Sequence, residues 1–198
     1  MKRRMNKLVV FVVMIAIAIF IAAATETASA KDYMKTIQGD YTFTGQGVCL
    51  ISPLGFTPNQ AALPGYGTNT VSFQGDFTFN LDGTGVRHSL GSQIAASFNG
   101  SHAHYSTAES IAPFTYTAEP EGAIVIQSSG PYEAQFLTGC FFPGCTALID
   151  QWSLIGHIST STRIIALSEP IQVQTVTNPD GNQFQRACHS TYLLLPVR

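Results

Sequence analysis

Two histidines two apart, His102-Ala103-His104, are the residues of this chain most suggestive of metal chemistry. On a strand, positions i and i+2 face one way, and two neutral imidazoles so placed can ligate zinc or copper. A third ligand would have to come from His88, His157, His189 or Glu109. The neighbours Ser101, Tyr105, Ser106 and Thr107 suit an exposed polar segment instead, so no metal site is assigned. His189 shares its face with Gln183 and Gln185, while His157 is opposite in parity to Trp152 and Leu154, which makes both solvent-facing. Among the carboxylates, Asp150 has the parity of Trp152 and is expected to point inward. A buried carboxyl with a raised pKa would be an acid or base, but no second group is placed against it. Glu119 and Glu121 straddle Pro120 in a turn, and Asp82 and Asp180 each precede a turn glycine. With no G-x-S-x-G elbow, phosphate loop or dinucleotide fingerprint, no catalytic residue and no cofactor is assigned.

The four cysteines, Cys49, Cys140, Cys145 and Cys188, form an even set, which in an exported chain implies two disulfides. Of the three possible pairings, Cys140–Cys145 across Phe141-Phe142-Pro143-Gly144 is geometrically easy and leaves Cys49 with Cys188. Strand faces agree: Cys49 has the parity of Tyr41 and Phe43, and Cys188 that of Phe184 and Tyr192. These thiols meet if the first and last strands are neighbours.

The elements that must hold these residues are strands. Val71 to Leu81 alternates without exception, with apolar residues or Gly at odd positions and polar residues at even ones. Asn80-Leu81-Asp82-Gly83-Thr84-Gly85 then turns the chain into a returning strand from Val86. Strand patterns also cover 40–50, 113–118, 123–128, 133–138, 146–159, 162–168, 171–177 and 183–195, with turn signals at 119–122 and 178–182. The expected fold is all-β, an antiparallel barrel or a two-sheet sandwich, of which an up-and-down barrel of about eight to ten strands is preferred. Residues 52–69, rich in Pro and Gly, are a long loop over one end. Phe43, Phe73, Phe77, Phe79, Phe114, Tyr116, Phe136, Trp152 and Phe184 lie on the apolar strand faces. The plain expectation for such rings is core. If part of the barrel is open, Phe43, Phe77, Phe79, Tyr116 and Trp152 would line a cavity for a small apolar ligand.

The amino end reads as a secretory signal over residues 1–30, with a single barrel domain over 31–198. Lys2, Arg3, Arg4 and Lys7 precede an uncharged apolar run from Leu8 to Ala24, and Ala28-Ser29-Ala30 offers a small-x-small cleavage site. The rival is an uncleaved anchor, which would be the protein's only hold on a membrane; its seventeen apolar residues fall short of the roughly 20 that span a bilayer. Either way the chain is expected to be exported, to a periplasm or beyond. Four of the ten basic residues and one of the twelve acidic residues lie in the signal, so the remainder carries six against eleven, a net charge of −5. No Lys/Arg surface is left to displace counterions from phosphate, and nucleic acid is excluded as a partner.

Gly39-Asp40-Tyr41-Thr42-Phe43, the hairpin Phe77-Thr78-Phe79-Asn80-Leu81-Asp82-Gly83-Thr84-Gly85, and Arg186-Ala187-Cys188-His189-Ser190-Thr191-Tyr192 resemble segments of exported bacterial proteins of unknown function. Those are similar to the calycin-like barrels, the class that includes lipocalins and allene oxide cyclases. The resemblance implies an eight-stranded barrel with an apolar cavity. The lipocalin G-x-W is missing, since Gly39 is followed by Asp40-Tyr41, and no catalytic residue carries over. Three functions are therefore expected to compete: a barrel binding a small apolar ligand or an envelope component, an isomerase or cyclase working inside it, and a structural surface protein. Fold analogy does not choose among them.

Overall fold

The computed structural model describes residues 33–95, 104–139, 145–178 and 180–197. The signal segment 1–30, the residues His102 and Ala103, and Cys140 lie outside them. Eleven strands occur among the described residues: β1 Gly39–Ser52, β2 Gly67–Phe79, β3 Thr84–Ala95, β4 His104–Ala118, β5 Ala123–Ser128, β6 Tyr132–Thr138, β7 Thr146–Ile149, β8 Ser153–Ile158, β9 Ile165–Ser168, β10 Gln172–Thr177 and β11 Gln183–Pro196. All pairings are antiparallel, and β11 closes on β1, giving a ring in the order β1-β2-β3-β4-β5-β8-β9-β11. A second path, β4-β6-β7-β10-β11, completes the ring at the other end.

Both paths belong to one eight-stranded up-and-down barrel. Five strands run its full height, while β5/β6, β7/β8 and β9/β10 are three strands each broken in the middle. The breaks fall at residues 129–131, 150–152 and 169–171. Two have a proline, Pro131 and Pro170, whose missing N–H cannot join a ladder. Bonds across the breaks keep the wall intact: Ser128 N donates to Trp152 O (2.9 Å), Asp150 N to Thr175 O (3.1 Å) and Glu169 N to Ser190 O (2.7 Å). The continuous 146–159 strand expected from sequence is thus two strands. Ile149 and Trp152, three apart, are both buried, and the parity switch turns Asp150 outward. Asp150 is exposed and its Oδ2 accepts from Thr175 N (3.2 Å), so the expectation that it points inward is corrected.

Hairpin geometry sets the register. In Asn80–Gly83, Gly83 N donates to Asn80 O (3.3 Å) and Asn80 N to Thr84 O (2.9 Å), and Gly83 takes φ +83°. Glu119–Gly122 repeats the pattern, with Gly122 at φ +95°; a left-handed residue closing a tight turn matches strand twist and favours Gly. The 80–83 turn places Phe79 opposite Gly85 and Phe77 opposite Arg87.

One end of the barrel is filled. Tyr41, Phe77, Phe79, Phe114, Ile124, Ile126, Leu154, Ile158, Ile165 and Leu194 are buried there. Rings meet edge-on, Tyr41–Phe79 at 5.4 Å and Phe79–Tyr116 at 5.0 Å between centroids, the geometry their quadrupoles favour. A single helical turn at residues 33–37 stops this end: Ile37 is buried in the core with Tyr33 and Met34 against it. One turn is too short to leave a periodicity in the sequence, so the all-β expectation does not include it. Arg163, at φ +59°, fastens the turn by donating Nη2 to Gln38 O (2.7 Å) and to Tyr41 Oη (3.2 Å).

At the other end Cys49 and Cys188 sit opposite each other in the β1–β11 register and are bonded. Cys145 is also disulfide-bonded; its expected partner, Cys140, lies outside the described residues. A bridge 139 residues apart in sequence constrains the unfolded chain strongly. Replacing Cys49 and Cys188 together by Ala is expected to lower unfolding free energy by about 4–5 kcal/mol, read from urea denaturation.

Candidate functional site

Above the packed end the interior side chains change character. Going up β3, the inward positions are Gly85, Arg87, Ser89, Gly91 and Gln93; on β4, descending, they are Ser106, Ala108, Ser110 and Ala112. Small side chains on two adjacent strands leave room that the Phe and Ile residues below do not. A cavity of about 100 Å³ results, bounded on its apolar side by Val71, Phe73, Ala134, Phe136 and Ile149 and by the Cys49–Cys188 bridge. Arg87, Trp152, Glu169, Ser190 and Tyr192 line it as well.

The sequence-predicted ligand residues divide across this boundary. Phe43, Phe77, Phe79 and Tyr116 pack on one another in the filled end, Phe43 against Phe77 at 5.0 Å. Trp152 alone of the five borders the cavity. Phe43 reaches its underside through Tyr192, at 6.0 Å between centroids. His157 and His189 are exposed as expected, and each donates a ring N–H to a backbone carbonyl, Nε2 of His157 to Glu121 O (2.8 Å) and Nδ1 of His189 to Glu169 O (2.9 Å).

Polar groups inside the barrel are arranged in two sets. Near the mouth, Asn69 Nδ2 donates to Gln93 Oε1 (2.8 Å) and Gln93 Nε2 to Ser106 Oγ (2.7 Å). Below, Arg186 Nε donates to Gln174 Oε1 (2.9 Å), and Gln174 Nε2 donates to Glu169 Oε1 (2.9 Å). Glu169 is 6% exposed and Gln174 is buried, so this relay holds a carboxylate out of water through one amide and ties it to a cation. Burying a charge without such partners would cost several kcal/mol, on the order of the whole stability of a small domain.

Arg87 is equally buried, 6% exposed, and lies with Cζ 4.3 Å from the centre of the Trp152 ring and 5.4 Å from that of Tyr132. Cation–π contact of this kind offsets part of the desolvation. Its Nε has no hydrogen-bond partner among the described residues, and neither does Trp152 Nε1. Tyr192 is fully enclosed: burial first, then the Glu169 carboxylate, holds its phenol well above the ordinary tyrosine pKa, with Arg87 opposing. Tyr116 is pushed up to about 12, chiefly by burial.

None of Arg87, Glu169, Gln174, Arg186 or Tyr192 stands out in the sequence as a site residue. Arg87 was nonetheless derivable, because the 80–83 turn pairs it with inward-facing Phe77. Val86, Leu90 and Ile94 obscured that signal by placing the more apolar face of β3 outside. Among the described residues no cluster of three His, Cys, Asp or Glu could hold a metal. Family models, curated proteins and solved structures were each compared with the chain, and none matches it.

The raised tyrosines make a prediction about alkali. A group protonated more tightly in the folded state contributes stability below its unfolded pKa, near 10 for tyrosine, and loses it as pH rises toward the folded value. Unfolding free energy should therefore be level up to about pH 10 and fall between about 10 and 12. The tyrosinate absorbance contributed by Tyr116 and Tyr192 should appear late, together with unfolding. Tyr192→Phe should flatten the fall, measured by urea denaturation at stepped pH.

Proposed function

We propose that this protein is an exported barrel that binds a small ligand in the upper half of its interior. The observation that carries the proposal is the contrast between the two halves: one filled by aromatic and branched side chains, the other left with a cavity beside Phe73, Phe136 and Trp152. A cavity of about 150 Å³ lined by apolar side chains can hold benzene or xenon, so a space of about 100 Å³ suits a molecule of a few heavy atoms. Pockets with mostly apolar walls and a few convergent polar groups are the usual form of small-molecule sites. Export is supported by the signal-like amino end and by the disulfides, which persist in oxidising compartments. The strand order also agrees with the calycin-like resemblance, whose members are eight-stranded meanders.

An isomerase or cyclase inside the same barrel has one observation in its favour. Glu169 and Tyr192 border a single cavity, a carboxylate and a phenol kept protonated to high pH. Such a pair can divide base and acid roles. Glu169 is already engaged by Gln174, however, and binding requires fewer assumptions than turnover.

Xenon titration of the purified protein tests the binding reading. Saturable shifts are expected at Val71, Phe73 and Phe136, and native mass spectrometry of protein isolated from its source should show a retained small mass. A Cβ at Gly91 would meet Phe73 only at ordinary contact distance, 3.4 Å, so Gly91→Leu can occupy the cavity without forcing the backbone. That variant should keep its fold and bind xenon at least tenfold more weakly. Wild-type protein that takes up no xenon at saturation would end the proposal.

A further inference from the structure

Resting on that reading, we infer that the ligand is a small monocarboxylate whose charged end is held by Arg87 against Trp152. Three buried ionisable or half-buried charges face the cavity from within the barrel: Arg87, Arg186 and Glu169. Arg186 and Glu169 are tied together through Gln174, each with a bond of 2.9 Å. Arg87 is left over as one positive charge. Glu109 also borders the cavity, but it lies on the outward face of β4 and is exposed, so water screens it. A buried cation is ordinarily paired, and a single negative charge brought in by a ligand completes the balance.

Hydrogen bonding points the same way. Arg87 Nε and Trp152 Nε1 are both donors that cannot accept, both are buried, and neither has a partner among the described residues. The guanidinium carbon is 4.3 Å from the Trp152 ring centre, so the two donor groups are neighbours. A carboxylate is acceptor-only and planar, and matches a guanidinium fork with two parallel bonds. A dianion would bring one negative charge too many beside Glu169. The volume limits the rest of the molecule to a short chain, for which Val71, Phe73 and Phe136 supply apolar walls.

Butyrate and its uncharged near-isostere butyramide separate charge from shape. Calorimetric titration of the purified protein should show butyrate binding at least tenfold more tightly than butyramide. Arg87→Met should abolish butyrate binding and keep xenon binding, and Gly91→Leu should lose both. Equal affinity for butyrate and butyramide, or undiminished butyrate binding by Arg87→Met, would overturn the inference. If Arg87→Met does not fold, the wild-type comparison of the two probes decides alone. Xenon uptake without butyrate binding rejects the carboxylate and leaves a ligand-binding barrel; failure of both probes rejects the barrel's binding role as well.

Discussion

The pairing of β11 with β1, from Tyr41–Pro196 to Ser52–Gln185, is the contact on which the rest of the molecule depends. It joins the first and last strands, so the sheet has no full-length edge and each long strand is paired on both sides. Loop-closure entropy over the whole domain must be met before this contact forms. The Cys49–Cys188 bridge lies within the pairing and ties the two strands at the end where the interior is least well filled. Closure also fixes parity. Once Cys49 faces Cys188 inside, every second residue of β1 and β11 is committed to the interior, and hairpin registers pass that commitment to β2, β3 and β4.

Committed positions are not all apolar, and this is where the two ends part. Tyr41, Phe77, Phe79, Phe114 and Leu194 make one end a packed core of interlocking rings and branched chains. The same faces, continued upward, deliver Arg87, Ser89, Ser190 and Cys188. The belt of strand breaks marks the level of the change. It brings Trp152 inward as a lid on the core and frees Asp150 to the surface, while Glu169 keeps the inward parity of Ile165 and Leu167 and so reaches the cavity. A continuous ladder would have kept Asp150 and Trp152 on one face.

Much of the fold was legible because period-two alternation and turn chemistry are local. Val71–Leu81 and the Asp82-Gly83 and Glu121-Gly122 turns announce themselves, and the parity of Cys49 and Cys188 anticipates their bridge. The strand breaks were harder to see, since Gly130-Pro131 and Glu169-Pro170 read equally well as ordinary turns between separate strands. The site was least legible. Its polar residues sit on interior faces where alternation leads one to expect apolar ones, and the aromatic positions that drew attention are mostly core. Only the hairpin register set by the 80–83 turn, and not the alternation within β3, shows that Arg87 lies opposite Phe77.

An interior of this kind concentrates stability at one end of the barrel axis. Arg87, Glu169, Gln174 and Arg186 are each costly to bury, and within the Arg186–Gln174–Glu169 relay removing any one partner leaves another unsatisfied, at about 1–3 kcal/mol for a neutral group and more for a charge. A barrel with such groups throughout would not close. Concentrating the aromatic and branched residues below, with the helical turn at 33–37 and Arg163 sealing that end, supplies the free energy that lets the upper half stay polar and incompletely filled. The disulfide then holds the upper wall in register without needing a core there. A well-packed upper half would have been more stable, but it would have had neither the cavity nor the unpartnered buried donors, Arg87 Nε and Trp152 Nε1, that this one has.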